Sequence, residues 1–322
     1  MTAEVTPIAS GVYLQAHLAP FAEWLARDDV TEILVNRPEE VWIESAGISG
    51  MIRIDAPTIN DQLLERLAQQ IARETHQGIN RERPLLAATL PDGARVQIIA
   101  PPATRKHWAL AIRRHRLVDV PLSAYDHGAL VAKPGKDWRK RDPLADPIDF
   151  LKRAVAARAT ILISGGTSSG KTTFLNALLR EVAADQRIIL VEDTPEIRLA
   201  HPNALGLVAV KGEMGEAKLS TNELLQSSLR MRPDRIVLGE LRGNEAVSFL
   251  RAVNTGHPGS FSTIHANTPH GALEQLALMV MQSGLGLSRS ETIDYAKSVI
   301  DVVVQLDRSA GVRQISGILI NT

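Results

Sequence analysis

The run Gly165-Gly166-Thr167-Ser168-Ser169-Gly170-Lys171-Thr172 constrains this chain more than any other stretch, because it satisfies G-x-x-x-x-G-K-[ST] without a mismatch. An apolar strand-like run, TILIS (160–164), leads into it. Phe174, Leu175, Leu178, Leu179 and Val182 then recur at helical spacing. A loop in this setting folds around phosphate. Its small residues let consecutive backbone N–H groups turn inward, and the positive end of the following helix faces the same anion. Lys171 is placed to reach the β- and γ-phosphates of a nucleoside triphosphate, and the Thr172 hydroxyl to ligate Mg²⁺.

The second half of the chain continues the pattern that such a loop requires. Strand-like runs RIILVE (187–192), RIVLGE (235–240) and SFSTIH (260–265) alternate with helical segments, the grammar of a mainly parallel sheet. Ser220 with Glu223 forms a capping box for a helix that stops before Pro233. Ala246, Val247, Leu250 and Val253 precede Gly256, a natural stop. Thr268 before Pro269 starts another helix at a place that favours proline. Beyond the carboxyl ends of such strands lie the ligands of a doubly wound sheet. Three runs end there in polar residues: Glu192-Asp193-Thr194-Pro195-Glu196, Glu240 and His265. A carboxylate at this edge can hold Mg²⁺ through water or take a proton from attacking water. His265 could sense the γ-phosphate or pack.

The first half reads differently, as short strands around a few helices. VTEILVN (30–36) and EVWIES (40–45) are β-rich runs across a turn, and LLAATL and ARVQIIA flank the hairpin signal Pro91-Asp92-Gly93. Asn60 or Asp61 can cap a helix with Leu63, Leu64, Leu67 and Ile71 on one face, and WALAIRR supplies a further strand. Between Leu117 and about Pro147 the texture turns to proline, glycine and a cluster of cations. It reads as a boundary whose most exposed part is Lys133–Arg141, with a short helix around Leu122–Leu130 and a basic contact surface as the alternatives.

Composition removes other classes. A chain of 322 residues is long enough for about two domains, and 44% apolar with 22% charged residues is a globular balance. Lys plus Arg equals Asp plus Glu at 36 each, so no global field draws it to nucleic acid or anionic membrane. The absence of cysteine excludes disulfide scaffolds, thiol nucleophiles and Cys-ligated metal sites. No apolar run approaches the roughly 18–20 residues that span a bilayer, and MTAEVTPIAS has no signal-peptide pattern. A cytoplasmic chain with only peripheral membrane contact is expected.

Together, GGTSSGKTT (165–173), VEDTPEI (191–197), LRMRPDRIVLGELRG (229–243) and TGHPGSFSTIHAN (255–267) resemble the Walker A, Asp box, Walker B and His box of the secretion-superfamily hexameric ATPases. The similarity is greatest to the small VirB-type traffic ATPases of type IV secretion systems. GARVQIIAPPA (93–103) and LAIRR (110–114) match more loosely. Type II secretion relatives carry a four-cysteine zinc subdomain that this chain lacks. His257-Pro258-Gly259-Ser260 departs from the pilus-retraction pattern.

The resemblance implies an α/β chain with an N-terminal mixed α/β domain (1–132), a linker (133–146) and a C-terminal RecA-like P-loop domain with a mainly parallel sheet (147–322). It implies ATP and Mg²⁺ as ligands, with Gly165 through Thr173 around the phosphates. Lys171, Glu192, Glu240 and His265 become the catalytic candidates, Glu196 belongs to the acidic box, and Thr172 holds Mg²⁺ with Glu192 or Glu240 through water. Family members also use N-terminal arginines on phosphate. Here Val96 and Ile98 share a strand face opposite Arg95, and Leu110 and Ile112 one opposite Arg113, so these two arginines, with Arg114 as a further candidate, fit that role. Arg230, Arg232, Arg235 and Arg242 crowd the Walker B region, where one could act across a subunit interface.

The implied protein is a homo-hexameric motor on the cytoplasmic face of the inner membrane. Its partners would be inner-membrane components of a secretion apparatus, with transient contact to DNA or a protein substrate. The alternatives are a pilus or type II-like secretion ATPase, a DNA-stimulated RecA-like ring motor, and a nucleotide-gated scaffold without turnover. With 4% aromatic residues, the lined channel of a DNA motor has little material.

Overall fold

The computed structural model describes residues 12–114, 136–140, 142–211, 217–309 and 312–321. These separate into two compact units: the described residues before 117 together with those of 210–219 and 230–232, and the remainder.

In the first unit, α1 (Val12–Leu18) and α2 (Ala22–Leu25) precede a meander of β1 (Val30–Val35), β2 (Glu39–Ser45) and β3 (Met51–Ala56). Then come α3 (Asp61–Glu74), β4 (Leu85–Thr89), β5 (Arg95–Ile99) and β6 (Ala109–Arg113). The six strands pair in the order β3-β2-β1-β6-β5-β4, every pair antiparallel. Alternation decides the faces. Ile33, Val41, Val96, Ile98, Leu110 and Ile112 join one core with Leu64, Leu67 and Ile71 of α3. The opposite phase carries charge: Glu32 pairs with Arg113 at 2.8 Å, and buried Glu40 receives Arg37, Arg53 and the Trp42 indole N–H. Asn60, not Asp61, caps α3 by accepting from the Leu63 N–H. Asp61 instead receives the Trp108 N–H and faces the His107 ring. The two N-terminal helices and β3 have no counterpart in the sequence expectations.

The second unit begins with the short helical turn Lys136–Lys140 and α4 (Pro147–Ala156), capped by Asp146. The expectation that Lys133–Arg141 is the most exposed part of a boundary is corrected at Trp138, while Asp137 and Lys140 are exposed. Trp138 is buried and meets Phe150 edge-to-face at 5.5 Å, and Arg139 pairs with Asp301 while covering the Trp138 ring. An indole that buries this much apolar area outweighs the polar neighbours on either side of it. The helix considered around Leu122–Leu130 lies outside the described residues.

The unit continues through β7 (Ile161–Gly165), α5 (Lys171–Leu179), β8 (Ile188–Glu192) and β9 (Ala204–Val208). The small ribbon of β10 (Val210–Lys211) and β11 (Lys218–Leu219) groups with the first unit. Then follow α6 (Thr221–Ser228), β12 (Arg235–Leu238), α7 (Glu245–Asn254), β13 (Phe261–Ile264), α8 (Pro269–Gln282), α9 (Arg289–Val299), β14 (Val302–Ser309) and β15 (Val312–Ile320). The seven-stranded sheet runs β15-β14-β7-β13-β12-β8-β9, parallel throughout except for the β14–β15 hairpin. Every residue of β7, β8, β12 and β13 is buried, the signature of a sheet covered on both faces. The Ser220/Glu223 capping box and the Thr268 cap before Pro269 form as the sequence predicts.

Candidate active site

The phosphate loop is built by backbone conformation. Gly165 closes β7 where a Cβ would lie 2.7 Å from the Leu306 carbonyl oxygen, so only glycine fits between these two strands. Ser168 and Gly170 both take positive φ, at 61° and 94°, and two such residues curl the loop. Gly170 stands at the N-cap of α5 and offers no side-chain acceptor, so the first N–H groups of that helix are left for a ligand. Around them lies a cavity of about 460 Å³ lined by Thr167 to Thr173, Glu192, Glu196, Glu240 and His265, among others.

The side chains in it are already engaged with one another. Buried Lys171 donates to the carbonyls of Gly165 at 2.9 Å and Gly166 at 3.1 Å, and lies 3.2 Å from His265 Nδ1. Burial pulls its pKa below the ordinary lysine value, while the Glu240 carboxylate acts in the opposite direction. An ammonium can only donate, so His265 Nδ1 accepts and the neutral ring carries its proton on Nε2. That nitrogen sits 2.7 Å from Glu240 Oε1. The approach is off the line of a hydrogen bond, and the buried Oε1 has no donor aimed at it. Glu240 Oε2 is held by Arg242, whose Nε donates at 2.7 Å.

Glu192 has a different task. It is buried at the end of β8, and its Oε1 accepts from the Glu196 and Ile197 N–H groups at 3.0 and 2.9 Å. Gly239 allows this, since a Cβ there would stand 3.1 Å from Glu192 Cγ. Thr172 Oγ1 donates to Glu196 Oε2 at 3.4 Å.

The structure thus brings Gly165 through Thr173, Glu192, Glu196, Glu240 and His265 to one edge of one sheet. Arg95, Arg113 and Arg114 belong to the first unit. Arg95 is exposed, Arg113 is paired with Glu32, and Arg114 donates to the Arg27 and Val30 carbonyls. Among the Walker B arginines, Arg235 is corrected as a candidate for reaching a neighbouring subunit. It is buried, donates to the carbonyls of Gly259 at 2.9 Å and Val155 at 2.7 Å, and stacks on Phe261. Burial lowers its pKa to about 10, so it stays charged at neutral pH as an internal clamp. Arg232 pairs with Glu44, and Arg242 serves its own Glu240. Arg313, on β15, lines the cavity without having been singled out in the sequence, where GVRQ carries no local signal for such a place.

Comparison with known proteins agrees with this geometry. The type II/IV secretion system protein family matches residues 143–312. The chain is 36% identical over 318 residues to the type IV secretion system protein VirB11 of Bartonella henselae, covering 91% of this chain and 89% of that protein. It is 42% identical over 308 residues to the PtlH homolog of Bordetella bronchiseptica, covering 92% and 90%. The crystal structure of the VirB11 ATPase from the Brucella suis type IV secretion system has a TM-score of 0.88 to this chain at 34% identity, covering 96% of this chain and 94% of that one. The chain belongs to the type II/IV secretion family, among its VirB11-type ATPases, and is a P-loop NTPase.

Proposed function

We propose that this ATPase is a Mg²⁺-dependent cytoplasmic hexamer that powers assembly of, or transfer through, a type IV secretion system. One observation carries the catalytic part: a carboxylate oxygen, Glu240 Oε1, that accepts no aligned hydrogen bond and faces the His265 ring at 2.7 Å, in the same cavity as the phosphate loop. Hexamer, apparatus and inner-membrane partners rest on the likeness to VirB11 and PtlH proteins. The Brucella suis relative was crystallised in complex with sulphate, an anion of the shape this loop suits.

The donors present fit Mg²⁺. Thr172, Glu192, Glu196 and Glu240 all offer oxygen, the ligand a hard cation takes. Among the described residues no cluster of three His, Cys, Asp or Glu side chains forms a ready-made metal cage. Mg²⁺ normally keeps several waters and shares the substrate's phosphates, so none is needed. When bound, the ion neutralises charge on the β- and γ-phosphates. Thr172 would hold it directly, with Glu192 or Glu240 through water. Lys171 would leave the Gly165 and Gly166 carbonyls for the phosphates. A water in line with the γ-phosphorus would lose its proton to Glu240 as the bond to the β–γ bridging oxygen breaks, releasing ADP and phosphate. His265, freed from Lys171, would report the γ-phosphate. Arg95, Arg113 and Arg114 are proposed as further phosphate contacts on the resemblance alone.

The test is steady-state ATP hydrolysis against protein concentration, with Lys171→Ala as the blank and EDTA as the metal control. Specific activity should rise with concentration and vanish in both controls. Activity independent of concentration contradicts the oligomeric motor, and activity in EDTA contradicts the metal.

A further inference from the structure

The nucleotide cavity has one wall that none of the four family motifs supplies. β14 runs parallel to β7 and pairs Leu306 with Gly165, so the end of β14 projects past the start of the phosphate loop. β15 pairs antiparallel with β14, with Arg313 among its first residues. The Arg313 stem lies flat against the loop at Gly170. An ideal Cβ there would stand 2.7 Å from Arg313 Cδ and 3.2 Å from its Nε. The side chain is exposed and borders the cavity.

Its electrostatic setting points to an anion. Arg313 lies directly opposite Arg308 in the β14–β15 register. Like charges in that position oppose pairing. Among the described residues neither arginine has a hydrogen bond or ion pair. The other cations lining the cavity are committed: Lys171 to two carbonyls and His265, Arg242 to Glu240. Arg313 alone among them is free to meet a ligand. Its place along the loop sets what it would meet. In a loop of this kind the Gly170 end, where α5 begins, would face the α- and β-phosphates, and Lys171, Glu240 and His265 would converge towards the γ-phosphate.

We propose that Arg313 is a nucleotide-binding residue that contacts the α- and β-phosphates from the outer side of the loop at Gly170. It holds ATP and ADP alike, so it adds affinity and does not sense the γ-phosphate. The inference rests on the reading of this cavity as the nucleotide site.

Binding of ADP, a non-hydrolysable ATP analogue and inorganic pyrophosphate should be measured by titration calorimetry on the full chain, for wild type, Arg313→Ala, Arg313→Lys and Arg308→Ala. Arg313→Ala should weaken all three ligands by a common factor of about 5- to 20-fold, less than a buried charge contact because solvent screens an exposed one. KM should rise with kcat held within about twofold. Arg313→Lys should recover part of the loss, and Arg308→Ala, which leaves the cavity untouched, should bind ADP within about twofold of wild type. Unchanged ADP affinity in Arg313→Ala overturns the proposal, as does a loss confined to the ATP analogue or one that spares pyrophosphate. If Arg313→Ala does not fold, Arg313→Lys must show the intermediate affinity, and wild-type affinity there is contrary. A wild type that binds none of the three ligands refutes the nucleotide reading itself.

Discussion

The N-terminal sheet is antiparallel, with one face apolar and the other mixed, where buried Leu34, Trp42 and Ile99 stand beside Glu32, Glu40 and their arginines. The C-terminal sheet is parallel at its centre and buried on both faces, and the charged residues of its central strands, Glu192 and Arg235, lie at strand ends. That difference explains where chemistry can sit. A sheet with one mixed face carries paired charged groups along its strands. A two-sided parallel sheet aligns the carboxyl ends of all its strands at one edge, which is where Glu192, Glu240, His265 and the phosphate loop meet.

The sharpest way to break this comparison is to truncate both faces of a central strand. Ile189 and Leu190 point to opposite faces of β8 and both are fully buried. Ile189→Ala and Leu190→Ala should each cost about 2–5 kcal/mol in urea unfolding. In the first sheet Ile98→Ala should cost as much, while neighbouring exposed Arg95→Ala should change stability by less than about 0.5 kcal/mol. A near-neutral Ile189→Ala would show that the second sheet is covered on one side only.

Next in size is Lys171→Ala. Loss of a charge-assisted contact should weaken ATP binding by about 1.5–3 kcal/mol, roughly 10- to 150-fold, while the melting temperature moves little. The same side chain predicts a pH effect. Burial lowers the pKa of Lys171 in the free site, and phosphate favours its charged form. ATP affinity should therefore fall as pH rises through that lowered value, on the acidic side of an ordinary lysine, with proton uptake on binding. An affinity that holds flat up to the usual lysine range contradicts a buried, partly desolvated amine.

The smallest effect concerns the helix that follows the acidic box. Ser220→Ala removes the hydroxyl half of the α6 capping box, the acceptor for the Glu223 N–H, and should cost about 1 kcal/mol without altering ADP affinity. A larger loss, or a change in ADP affinity, would mean that α6 supports the cavity through Thr221 and its bond to Asp193.

Much of the second unit was legible because its information is local. Glycines, caps and strand ends announce the loop, the helix starts and the carboxyl edge within a few residues of each other. What escaped is set by packing at a distance. Trp138 looked like part of a basic linker, yet it is buried against Phe150. Arg235 looked like a surface cation in a crowd of arginines, yet three acceptors and an aromatic ring enclose it. Arg313 reaches the loop only because the last hairpin pairs onto β7 through β14. In the first unit MIRIDA, β3, lacks the burial that makes alternation readable, with Ile52 left 40% exposed at the sheet edge.

The central claim is that the carboxyl edge of the parallel sheet holds the reacting phosphate beside Glu240. Glu240→Gln keeps the shape of that side chain and removes its basicity, so ATP binding and turnover should be measured together on this variant. Affinity within about threefold of wild type with turnover reduced by about 100-fold or more is the result expected of a lost general base. Normal turnover with normal binding would place the base elsewhere and contradict the account.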